Sequence, residues 1–192
     1  AQVVSTVNAL MALPFGDSQI TGIASDIIAT LSATQLNYLS ENQIKGLSTT
    51  QVRALSASQL NGLNEYKLQA IEVGDLASVN TSVMAGLSTA QIAKLTESQL
   101  AALTTNQIKS FTSDQIKALT DGQLKSLTPA QIKAVDISAL NGAQLSTFTS
   151  AQVQALTQDA VANLSNSQLT AMLPEQFNAL TSTQVKIGRA HV

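Results

Sequence analysis

The chain has 192 residues, 44% hydrophobic, 3% aromatic and 11% charged, with ten Lys and Arg against twelve Asp and Glu for a net charge of −2. That length allows a sizeable core, and a charge content far below the roughly 25% usual in soluble domains leaves a surface of neutral hydroxyls and amides. The absence of Cys excludes disulfides and thiolate chemistry, and no apolar run approaches the ~20 residues that span a bilayer, so no membrane insertion is expected.

From the beginning of the chain an apolar residue recurs every eight positions: Val7, Phe15, Ile23, Leu31, Leu39 and onward to Leu127 and Val135. A second series runs five residues behind it, from Ile20, Ile28 and Leu36 to Leu124 and Ile132. A continuous helix does not fit this spacing. Eight residues at about 100° each overshoot two turns by about 80°, so the apolar stripe would wind around the axis. A strand fails too, because series offset by an odd number point to opposite faces.

The phrase between the series is a helix start. In "LTTNQI" (103–108), Thr104 is an N-cap for the backbone N–H of Gln107, while the Gln107 side chain reaches back to the N–H of the cap, and Leu103 and Ile108 have the spacing of a hydrophobic staple. Ser32 with Gln35, Ser48 with Gln51, Thr112 with Gln115, Thr149 with Gln152 and Ser165 with Gln168 repeat the pair. Pro129 and Pro174 stand at first helical positions, where a missing N–H costs nothing. The spacing therefore predicts an all-α chain restarted every eight residues. It reads as an α-solenoid, a superhelix of short capped helices of about two turns, whose two apolar series face one interior. Helices this short are marginal alone, so stability must come from packing between units. The residue before each Leu is usually small (Gly46, Gly62, Gly86, Ala118), which would let coils approach closely, although Ala and Ser are common throughout.

Two stretches depart from the phrase. Residues 64–88 keep both apolar series but carry Lys67, Asp75 and Val83 where Gln belongs, so weaker caps are expected there. At 135–140 three residues are missing: Ile137 follows Asp136 directly, and the first series resumes at Leu140 and Phe148. A kink or change of pitch is expected at 135–142, as a hinge or as a tolerated deletion. The array is thus a single domain, residues 1–185, with one slip. The tail "KIGRAHV" (186–192) breaks the pattern. Its "IGRAHV" resembles a translated sequencing adapter, and the alternative is a short basic tail. A start at Ala1 rather than Met reads as a fragment, and no signal peptide is visible.

Candidate chemistry is sparse. The single His, His191, lies in that tail, so the repeats offer no imidazole base, no Ser-His-Asp arrangement and no His-ligated metal. The acids Asp114, Asp121, Asp136 and Asp159 stand singly. Neither a catalytic, a cofactor-binding nor a metal site is expected, and the chain reads as a non-enzyme. A basic row, Lys45, Arg53, Lys109, Lys117, Lys125 and Lys133, follows the second series at constant phase and could track a polyanion. The acidic balance and the lack of aromatics to stack on bases argue against nucleic acid.

Over residues 15–185 the phrase resembles the tandem "LTxxQIxAL" tracts of very large secreted or surface-attached bacterial proteins of the adhesin kind. The resemblance implies an extracellular or cell-surface spacer or stalk whose partners are neighbouring repeats of a longer array, and it brings no catalytic residues. The other reading is a Ser/Thr face that binds ice, a glycan or a protein. Against it, the cap hydroxyls are already committed to backbone N–H groups and the positions after the cap vary.

Overall fold

The computed structural model describes residues 16–185. Val7, Phe15 and the adapter-like tail at 186–192 lie outside the described residues. Among the described residues the chain forms twenty α-helices and two short 3-10 helices and no strand. None of these helices is long and apolar enough to cross a membrane.

One octapeptide shows why each helix stops. Helix Ala57–Gly62 is capped by Ser56 and ends at Leu63, which is extended at φ −69° and ψ 138° and gives its N–H to the Leu60 carbonyl. Asn64 follows at φ −68° and ψ 165° and is already the cap of helix Glu65–Ala70. Two extended residues in every eight leave helices of four to six residues, shorter than the two turns expected. The box is present at Ser32, Ser48, Thr104, Thr112, Thr149 and Ser165. It weakens where Gln is missing. Asn64 still accepts from Lys67, but Glu72 and Asn80 make no side-chain cap bond. Thr112→Ala is expected to cost about 1 kcal/mol of stability in denaturant unfolding. Ser113→Ala, at the exposed first helical position, should leave the midpoint unchanged.

The described residues fall into two compact units, one ending at Leu103 and the other beginning at Thr104. Each is an α-solenoid. In the first, helix Ala33–Tyr38 packs on Ala57–Gly62, Glu41–Lys45 on Glu65–Ala70 and Thr49–Arg53 on Val73–Leu76. In the second, Gly142–Leu145 packs on Asn166–Ala171 and Ser150–Ala155 on Pro174–Ala179.

Both apolar series line the interior, as in the pairs Ile44 and Leu47, Ile116 and Leu119, and Val153 and Leu156, all buried. Ile23, Leu39, Val161, Leu169 and Leu180 are half-buried, and Phe177 and Val185 are exposed. The small residues before Leu do set the approach of the coils. A Cβ on Gly62 would overlap the Ala33 methyl, and one on Gly86 would lie 2.9 Å from that of Ala57.

Candidate functional site

Among the described residues the buried polar side chains are all glutamines, each three residues after a cap position. In all of them but Gln91 the side-chain Oε1 accepts the cap N–H, as Gln59 does from Ser56 at 2.9 Å. The box leaves both amide hydrogens free, and in a buried site they need acceptors. Gln59 Nε2 donates to the carbonyls of Ile28 at 2.9 Å and Leu31 at 2.7 Å, 31 and 28 residues earlier. Gln51 does the same to Ile20 and Ile23, Gln91 to Leu60 and Leu63, and Gln99 to Leu68 and Ile71. In the second unit Gln168, Gln176 and Gln184 keep the same two separations. One amide therefore starts a helix and ties it to the turn beneath. At 28 residues, 28/8 = 3.5, the chain makes a circuit every three to four octapeptides.

A second tie runs the other way in the first unit. Asn37 Nδ2 donates to the Gly62 carbonyl at 2.8 Å and its Oδ1 accepts the Asn64 N–H at 2.9 Å. Asn61 repeats this with Gly86 and Ser88. Because Asn61 takes the Ser88 N–H, Ser88 caps Gln91 without the reciprocal half of the box. Asn37 and Asn61 occupy the phase of the basic row. Lys45, at that phase, lies 3.7 Å from Glu72, 27 residues on, and Lys117 lies 3.5 Å from Asp114. Both pairs are solvent-exposed and add at most ~1 kcal/mol each.

The slip removes the three residues that would hold a glutamine. Asp136 still caps, accepting from the Ser138 N–H and hydroxyl, but only the 3-10 helix Ile137–Ala139 follows. The circuit above it is shortened by three residues. Gln152 reaches Leu124 and Leu127, 28 and 25 residues back, which are 31 − 3 and 28 − 3. Gln144 reaches Lys117 and Leu119, and Gln168 returns to 31 and 28. In the octapeptide capped by Thr157 the glutamine position holds Ala160, and helix Gln158–Ala162 has no buried residue. With both clamps missing, an open cleft of about 340 Å³ lies between Val135–Ser138 and Asp159, Ala160 and Asn163.

Ala160→Gln should fill that cleft, since the shortened register aims its amide at the Ile132 and Val135 carbonyls (160 − 28 and 160 − 25). A gain of about 1 kcal/mol is expected in denaturant unfolding, with Ala162→Gln, on the exposed face, as the silent control.

Of the acids singled out in the sequence, Asp136 and Asp159 meet at this cleft, while Asp114 pairs with Lys117. No group of three or more His, Asp or Glu able to hold a metal occurs among the described residues. The Ser and Thr caps spend their oxygens on backbone N–H groups, as in Gln107 to Thr104 and Gln123 to Thr120.

Capped octapeptides, one shared interior in each unit and amide ties between successive turns define a helical-solenoid repeat protein. Residues 68–105 and 97–129 match the family model of the ALTTAQ repeat. The chain reads Ala-Leu-Thr-Thr-Asn-Gln at 102–107, in the order small residue, first apolar series, cap and clamp. A comparison with curated proteins finds no match.

Proposed function

We propose that the chain is a non-enzymatic structural module, a spacer or stalk segment of a larger bacterial extracellular or surface protein. The observation that carries this reading is the glutamine clamp. Its buried amide bonds run from turn to turn, so the polar chemistry of the repeat is used to hold length. The repeat-family match and the resemblance to adhesin-type tracts support the same role. Force spectroscopy on the chain held at its two ends tests it: a spacer should extend reversibly, in steps that correspond to single turns. One abrupt, irreversible rupture of the whole chain would contradict the proposal.

A further inference from the structure

We infer that the cleft beside the slip, within the second unit, is a binding site for a guanidinium group, the side chain of an arginine in a partner peptide. The missing clamp is what leaves the site open. Ala160, which lines the cleft, stands where a glutamine would donate to the carbonyls of Ile132 and Val135. Among the described residues no N–H reaches either carbonyl. In other octapeptides the carbonyl of the second series has a backbone donor as well, as Leu124 has in the N–H of Leu127. At the slip the Val135 N–H goes to the Gln131 carbonyl instead, so the carbonyl of Ile132, a buried residue, has neither donor. An acceptor left unmade in a buried place is costly, and a bound donor removes that cost.

The cleft is a gap between two stacked turns and not a free face. Both of its walls are backed on their far sides: helix Gln158–Ala162 packs on Ser182–Val185, and Ile137–Ala139 packs on Ser113–Lys117. At about 340 Å³ it is at the lower end of the volumes of ligand pockets, about 300–1,000 Å³, which suits one side chain.

Charge selects the donor. Asp136 and Asp159 line the cleft, and neither forms an ion pair among the described residues. Asp136 Oδ1 is taken by the Ser138 N–H and hydroxyl, which leaves its second oxygen for a ligand. Lys133 is exposed and does not line the cleft, so no cation of the chain fills it among the described residues. A neutral amide would satisfy the two carbonyls and leave the carboxylates unanswered. An ammonium would bring the charge on a single point, whereas a guanidinium spreads five N–H donors over a planar fork and can meet carbonyls and carboxylates together.

NMR titration of the full chain with an acetylated and amidated Gly-Arg-Gly tripeptide tests the inference. Saturable binding that shifts the resonances of Asp136, Asp159 and Ala160 is expected. Citrulline in place of the arginine keeps the shape without the charge and should bind at least about tenfold more weakly. Ala160→Gln supplies the missing amide in the chain itself and should weaken binding of the arginine tripeptide as much, as should Asp159→Asn. Asp121→Asn, an exposed acid in another octapeptide, should bind as the wild type does. Free arginine brings its own carboxylate to the two aspartates and should bind less well than the tripeptide. The absence of saturable binding overturns the inference, as does binding indifferent to Ala160→Gln or equally tight for citrulline. Free arginine that binds as tightly as the tripeptide overturns a peptide as the occupant.

Discussion

Gln152→Glu is expected to cost at least about 3 kcal/mol at pH 7, although it preserves the size of the side chain and its ability to accept the Thr149 N–H. The carboxylate keeps the acceptor that completes the box at 2.9 Å. It loses both donors, and it places a buried negative charge against the carbonyl oxygens of Leu124 and Leu127. Gln152→Ala removes the donors without adding charge and should cost less, about 1–3 kcal/mol. The two variants should also differ in their response to pH. Burial against acceptors raises the folded-state pKa of the introduced Glu above its unfolded value of about 4.3. The protonated form is then favoured in the folded state and can return one donor. Relative to wild type, the Glu variant should be least destabilised below pH 4 and lose stability as pH rises through its raised folded pKa, whereas the Ala variant should show no such change. Denaturant unfolding at pH 4 and pH 7 measures this, and equal costs at the two pH values would show that the amide donors are not what the site requires.

The apolar series carry the second large effect. Ile116→Ala and Leu119→Ala each remove a buried side chain, one from each series, and each should lose roughly 2–5 kcal/mol. Phe177→Ala removes a larger group, yet at 46% exposure in the last turn it should lose much less. The order reverses what side-chain size alone would give. A Phe177 variant as damaging as the Ile116 variant would mean that the Phe177 ring is buried in solution.

The octapeptide made the helix boundaries legible because caps and staples are local: each is settled within six residues, as in Leu103 to Ile108. The burial of both series could be read for the same reason, since eight-residue restarts leave one arrangement that hides them. The length of the circuit was not legible. Periodic apolar residues place both series inside, and any number of repeats between stacked turns would have satisfied them. The second role of glutamine left a signal that can be stated in retrospect. A capping box accepts Glu as well as Gln, yet Glu never stands at the clamp position of this chain. Only a need for the amide donors separates the two. The ties made by Asn37 and Asn61 carried no such signal, because the same phase elsewhere holds lysine. At the slip, the loss of three residues was visible, but the cleft was not, because it depends as much on Ala160 one turn away as on the deletion itself.

The half-unit in 3.5 gives each solenoid unit the geometry of brickwork in running bond. The joints of one course, the extended Leu and cap pairs, lie over the bodies of helices in the next, as the Leu31 carbonyl meets Gln59 in the middle of helix Ala57–Gly62. A crack following the joints has no straight path and must break helices to advance. The bond also survives the deletion. Gln152 meets Leu124 and Leu127, one residue from each apolar series, just as Gln184 meets Val153 and Leu156. Each course is laid by phase and not by residue count, so a gene that expands and contracts by slippage can lose part of one brick without shifting the courses built on top of it.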